Sequence, residues 1–320
     1  MTDQLITTIL EKEGLQHLPA QPLSGGQVNR IYAIGEAMVL RVGKTPQDNF
    51  RLLQEAALLR RIGSAAPVPE ILSVGEEGGI AYQLQRRLSG QKLHRAWPQL
   101  DWDEKEAIMA QLGQHLEALH SITFPTFGWF HEKGCEFATW TEYFDGFFHG
   151  TIDGLVGVPD GIPARILAMA EDYYAQHRDL LAESIPALVH ADLWPGNVLV
   201  DQGRVTGILD FEFAIRAPRD YELVLIEDFC LYPRDFIEAD CSPYSAADFA
   251  DFFNLLRKHT PALFAIPHLR ERLNLYHLAF NLNLYLRCRQ WNADDSGGYL
   301  LAKLARITSV LFDHGTRMFL

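Results

Sequence analysis

The stretch from His190 to Glu212 constrains this chain more than any other. It runs His190-Ala191-Asp192-Leu193-Trp194-Pro195-Gly196-Asn197, then Val198-Leu199-Val200, and later Gly207-Ile208-Leu209-Asp210-Phe211-Glu212. Ala187, Leu188 and Val189 before the loop and Val198 to Val200 after it read as short buried strands. Asp201-Gln202-Gly203 reads as a turn and Val205 to Leu209 as the returning strand. Such a hairpin carries Asp210 back beside Asn197. An amide and two carboxylates then converge at one end of a small sheet. Incomplete oxygen ligand sets of this kind suit Mg²⁺, which keeps several waters and takes further ligands from phosphates. Either residue alone would read as an ordinary turn cap. The whole constellation at this spacing reads as chemistry.

The chemistry it matches is that of kinases. There a loop Asp accepts the substrate hydroxyl proton, a loop Asn holds a metal, and a later Asp holds metal against the phosphates. Here the pattern is His190-x-Asp192, then Asn197, with Asp210-Phe211-Glu212 beginning 13 residues after the Asn. Protein kinases carry Arg after the His and Gly after the Phe; this chain carries Ala191 and Glu212. With Trp194-Pro195-Gly196 inside the loop, the chain resembles the aminoglycoside phosphotransferase, choline kinase and fructosamine kinase group. Those are small-molecule kinases with a protein-kinase-like fold.

The resemblance implies an α+β, bilobal architecture. Residues 1–86 would form a small antiparallel-sheet lobe with one key helix, and residues 87–320 a larger, mostly helical lobe carrying the catalytic hairpin and acceptor pocket. It assigns Asp192 as the proton acceptor and Asn197 and Asp210 as Mg²⁺ ligands. His190 is expected to fix the loop, and Asp220, shortly after the metal-binding Asp, to support it or to cap a helix. Glu212 is read either as a further metal contact or as a residue standing where a Gly would be. The cofactors implied are ATP or GTP with Mg²⁺.

Bulk properties narrow the partners. A net charge of −13 over 320 residues argues against nonspecific binding to nucleic acid or anionic membrane. It is compatible with a cationic small-molecule hydroxyl acceptor. Cys135, Cys230, Cys241 and Cys288 are scattered without C-x-x-C spacing, which suits free thiols in a reducing cytoplasm better than zinc or a disulfide scaffold. Met1 to Gln4 has no basic, apolar leader pattern. No stretch approaches the roughly 18 apolar residues of a membrane span.

Earlier in the chain, residues 3–13 pattern as a short amphipathic helix. Ser24-Gly25-Gly26, leading to Asn29, reads as a hairpin tip. Upstream of a kinase loop it becomes the candidate phosphate-covering loop, because glycines allow close backbone approach. Met38 to Val42 reads as a strand in which Arg41 stands where related kinases place Lys. Residues 48–62 form a helix capped by Asp48 or Asn49, and Glu55 on it is the expected partner of Arg41. The alternative for Glu55 is a solvated charge. The strand from Ile80 leads to a linker, with Gln85 and Arg87 among the candidates for contact with the nucleotide base.

Beyond the linker, the helix from Glu104 to His120 has a core stripe. Aromatics crowd residues 122–150, as a buried cluster or as an acceptor wall, with Glu142 and Asp145 as polar anchors. Acids outnumber bases after Asp201, and Glu227 and Asp228 are read either as acceptor-pocket residues or as a solvated face. Two other classes use overlapping groups: a protein Ser/Thr kinase, and a catalytically silent nucleotide-binding protein, whose support is Arg41.

Overall fold

A computed structural model describes residues 2–23, 29–156, 158, 161–182, 184–237, 244–290 and 296–312. In chain order the main elements are α1 (Thr2–Lys12), β1 (Ala20–Pro22), β2 (Asn29–Ile34), β3 (Met38–Gly43), α2 (Asn49–Ile62), β4 (Ile71–Glu77), β5 (Ile80–Arg86), β6 (Gln91–Lys92), α3 (Leu93–Ala96) and α4 (Trp102–His120). They continue with β7 (Gly128–Trp129), α5 (Trp140–Leu155), α6 (Ala164–His177), β8 (Ala187–Val189), β9 (Val198–Asp201), β10 (Arg204–Ile208) and β11 (Ile215–Ala217). The last are α7 (Leu223–Leu231), α8 (Phe252–His259), α9 (Pro261–Phe264), α10 (Leu269–Gln290) and α11 (Ser296–Phe312).

The chain divides into two compact units. The first comprises Met1–Ile122, Trp129–Cys135 and His190–Ile215; the second comprises Thr123–Gly128, Glu136–Val189 and Arg216–Leu320. This division by packing does not fall at residue 86, where the sequence reading put a lobe boundary. The reason is pairing: β6 joins β9 antiparallel, and Ile208 N–H donates to the Pro67 carbonyl. The β9–β10 hairpin is thereby carried by the sheet-bearing unit.

In the first unit, five antiparallel strands run in the order β1-β2-β3-β5-β4. Strand side chains alternate between faces. Leu40, Val42, Tyr82 and Leu84 meet Ile6, Ile9 and Leu10 of α1 in one buried cluster. Arg41 and Gln83, paired in register, therefore project to the opposite face. Helix α2 packs there against β5, burying Leu52, Ala56, Leu59 and Ile62. It ends at Gly63 with φ 52°, a left-handed conformation that Gly adopts most easily.

The cap expected for α2 is not made as read. Asp48 turns back to accept from Thr45 N at 2.8 Å, closing the turn before the helix. Asn49 instead binds the β4–β5 hairpin, donating to Gly79 O and accepting from Ala81 N. Helix α4 starts two residues earlier than read, at Trp102. Asp101 accepts from Glu104 N at 2.9 Å, and Glu104 Oε2 accepts from Asp101 N at 3.0 Å.

The second unit is mostly helical. Its aromatic segment forms a core: Phe127, Trp140, Phe144 and Phe148 are buried. Trp140 stacks on Tyr143 and meets Tyr221 and Tyr276 edge-on. Among the described residues, no helix is long and apolar enough to cross a membrane.

Candidate active site

The loop of the first unit is built by its own backbone. Asn197 N–H donates to Trp194 O at 2.8 Å, and Leu209 N–H donates to Asn197 O at 2.8 Å. The second bond continues the β9–β10 ladder and delivers Asp210 next to Asn197. The hairpin turns at Gln202 and Gly203, with φ 46° and 73°. Two left-handed residues match the tight turn whose twist suits a two-residue hairpin.

His190 is fully buried and splints the loop. Its Nε2 lies 2.8 Å from the Leu209 carbonyl, and its Nδ1 accepts from Asp192 N at 3.2 Å. A carbonyl only accepts, so Nε2 carries the proton and Nδ1 the lone pair. Asn197 clamps Asp192: its Nδ2 donates to Asp192 O at 2.8 Å and to Asp192 Oδ2 at 3.0 Å. Ala191 and Asp210 both adopt positive φ, 60° and 68°. Non-glycine residues rarely do so, and such strain concentrates at functional sites.

Behind the loop lies a buried charge cluster. Arg41 Nη1 donates to Glu55 Oε1 at 2.7 Å, while Nη2 donates to Asp210 Oδ1 at 3.2 Å and Glu212 Oε2 at 3.3 Å. Burial disfavours the guanidinium charge. The carboxylates of Glu55, Asp210 and Glu212 nevertheless hold its pKa above the ordinary value. Burial raises Glu55, an effect that Arg41 only partly offsets. Glu212 is pushed up to about 7, first by burial and then by Asp210. It also accepts from Asn29 Nδ2 at 3.2 Å. Glu212 thus ties the start of β2 to Arg41, a role that neither sequence reading described.

The sequence-predicted residues sort clearly. Asp192, Asn197, Asp210 and His190 come together, as do Arg41, Glu55 and Asn29. Ser24, Gly25 and Gly26 lie outside the described residues. Gln85 is buried in β5, and Arg87 is exposed with its N–H already donating to Ala37 O. That amide is therefore engaged within the protein. Gln83 was missed: its Nε2 donates to Glu55 Oε2 at 3.2 Å. A polar residue alternating with Tyr82 and Leu84 on β5 was the available signal.

In the second unit, Asp220 is fully buried and takes a two-pronged grip from Arg272, Nε at 2.5 Å and Nη2 at 3.0 Å. It caps no helix; Glu222 occupies that place before α7 without a side-chain cap. The four carboxylates read as acceptor anchors are also engaged. Glu142 accepts from Ala138 N at the start of α5. Asp145 holds Arg178 and Tyr174. Glu227 accepts from His277 at 2.8 Å and Arg270 at 3.2 Å. Asp228 accepts from Lys303 at 2.9 Å. Asp145, Glu227 and Asp228 are each neutralised by a cation at bonding distance and have little left for a cationic acceptor, whereas Glu142 is exposed and meets only a backbone N–H. Glu227 and Asp228 are also buried, which rules out the solvated face.

The donors present fit Mg²⁺. Among the described residues no group of three or more His, Cys, Asp and Glu is gathered to hold a metal. Asn197 keeps an amide oxygen, and the Asp210 side chain is 39 % exposed. Two hard oxygen donors, one open to solvent, suit an ion that arrives with water and phosphate ligands.

An antiparallel sheet with one buried cation–Glu pair, an Asp–Asn loop and a following Asp make up a protein-kinase-like α+β fold. The chain belongs to the phosphotransferase enzyme family, whose sequence model matches residues 19–257. It is 28 % identical to hygromycin-B 4-O-kinase of Escherichia coli, over 64 % of this chain and 60 % of that enzyme. The match thus spans less than two thirds of that relative. It is 29 % identical to a probable ketoamine kinase of Thermus thermophilus, over 72 % of this chain and 80 % of that one. Among solved structures, a thermostable mutant of the aminoglycoside phosphotransferase APH(4)-Ia, in ternary complex with AMP-PNP and hygromycin B, shares the fold. Its TM-score is 0.68 at 22 % identity, covering 95 % of this chain and 97 % of that one.

Proposed function

We propose that this protein transfers the γ-phosphoryl group of ATP or GTP to a hydroxyl of a small molecule, with Mg²⁺. The observation that carries the reading is the Asn197-clamped Asp192 next to Asp210, with the Arg41–Glu55 pair behind. The acceptor oxygen attacks the γ-phosphorus, the bond to the β–γ bridging oxygen breaks, and the nucleoside diphosphate leaves. Asp192 orients the hydroxyl and accepts its proton. Asn197 and Asp210 would hold Mg²⁺, which when bound neutralises phosphate charge. Arg41, placed by Glu55, holds phosphate oxygens together with the loop from Ser24 to Asn29. The stretch from residue 85 to 88, where β5 ends and the linker begins, meets the base, and residue 86 marks the functional lobe boundary. Catalysis is then mostly positioning and charge stabilisation.

Arg41 in place of Lys was the support for a catalytically silent protein. Its pairing with Glu55 favours the enzyme reading. The relatives' names point to aminoglycosides and ketoamines as acceptors to try first, and free thiols suit a cytoplasmic setting. The test is phosphate transfer from ATP·Mg²⁺ and GTP·Mg²⁺ across aminoglycosides, ketoamines, amino alcohols and sugars, with Asp192→Asn as control. Phosphorylated product lost in the mutant is the expected result. A mutant as active as wild type would overturn the assignment of Asp192.

A further inference from the structure

The segment that follows β5 is fastened to the catalytic hairpin at successive points. Thr206 Oγ1 donates to Ser89 O at 2.7 Å. Gly90 sits at φ 115°, so close that a Cβ would lie 2.8 Å from Val200 O. Gln91 and Lys92 pair with Val200 and Leu199. His94 N–H then donates to Pro195 O at 3.0 Å, inside the Asp192–Asn197 loop. The His94 ring stacks on Trp194, centroids 5.3 Å apart and planes 30° apart. Trp194 in turn lies across Gly196, where a Cβ would come within 2.0 Å of the indole. Only glycine at 196 leaves room for the ring.

We propose that His94 is a positioning residue: through Trp194 it holds the Asp192–Asn197 loop against the linker that follows β5. The inference rests on the phosphotransferase reading for its catalytic consequence, but the clamp itself is a property of the fold. The two rings are offset-stacked, an arrangement that favours a fixed relative placement. Trp194 is followed directly by Pro195 and Gly196, and Asn197 N–H bonds Trp194 O. Moving the indole therefore moves the residue that grips Asp192. His94 is buried. Burial, then Lys92 and Arg95, push it down to about 4, so the ring is neutral at pH 7. A neutral aromatic of similar shape should do the same work.

The test compares His94→Ala, His94→Phe and Gly196→Ala with wild type. Three quantities are read: kcat and KM for phosphate transfer, ATP·Mg²⁺ affinity by titration, and amide hydrogen exchange across 190–200. Misplacement by about 1 Å costs up to about 100-fold in rate. His94→Ala is expected to lower kcat roughly 10- to 100-fold, leave nucleotide affinity within about threefold, and speed exchange at the Asn197 amide. His94→Phe should restore rate and protection. Gly196→Ala should reproduce the alanine defect by dislodging Trp194 from the other side. Adding it to His94→Ala should cost little more, because both remove one contact.

Unchanged exchange in His94→Ala would overturn the clamp. So would a phenylalanine variant as impaired as the alanine variant, or a loss confined to KM. If wild-type protein phosphorylates no compound, the functional reading fails, while the exchange data still decide the clamp.

Discussion

Replacing Arg41 with Met tests the energetics of the site directly. One guanidinium faces three carboxylates at 2.7, 3.2 and 3.3 Å, with Arg41, Glu55 and Glu212 all buried. At an effective dielectric of about 20, unit charges about 4 Å apart attract by about 4 kcal/mol. Removing the cation leaves buried carboxylates uncompensated, which typically costs about 3–5 kcal/mol. At a few degrees per kcal/mol, Arg41→Met should lower the melting temperature by roughly 6–20 °C, read by circular dichroism. Glu55→Gln should cost less, about 1–2 kcal/mol, because Arg41 keeps Asp210 and Glu212. The double mutant should be less destabilised than the two single effects together, since the lost cation and one orphaned anion cancel. Arg41→Lys should fall between wild type and Met: it keeps the charge but lacks the fork that reaches Glu55 on one side and Asp210 on the other. An Arg41→Met protein melting with wild type, or strictly additive single mutants, would refute the cluster as a coupled unit.

Three further outcomes are expected. Asp192→Asn should lower kcat by about 10²- to 10⁴-fold while nucleotide titration stays near wild type; lost nucleotide binding would count against its role as proton acceptor. His94, held to about 4 against an unfolded value of about 6.5, binds fewer protons when folded than when unfolded. Stability should therefore fall as pH drops through that window, by about 2 kcal/mol between pH 7 and 5. His94→Phe should show a flatter denaturation profile; equal slopes would contradict the neutral buried ring. Arg272→Met should cost about 3–5 kcal/mol by stranding Asp220, and a melting temperature within 1 °C of wild type would show that pair to be dispensable.

Much of the first unit was legible from residues alone. Strands β3, β5, β9 and β10, helix α2 and the turn at Gln202-Gly203 follow from period-2 and period-3.6 patterning with glycine punctuation. The meeting of Asp192, Asn197 and Asp210 follows from a short hairpin, where sequence distance fixes spatial distance. The Arg41–Glu55 pair was legible only through resemblance, because the two stand 14 positions apart on a strand and on the helix that follows it.

Other features were not legible. Glu212 bonds Asn29 from 183 residues away, and His94 meets a tryptophan 100 positions on. Gln83 joins Glu55 because β3 and β5 pair in one register. The acids read as pocket anchors, Asp145, Glu227 and Asp228, find Arg178, His277 and Lys303. Nothing in their own neighbourhoods announces those partners. The sequence by itself determined the local elements and the hairpin-borne chemistry, because periodicity and turns act over a few residues. Which charges are neutralised, and what packs against the Asp192–Asn197 loop, only the tertiary structure decided. Burial and partnership depend on which distant elements pack together.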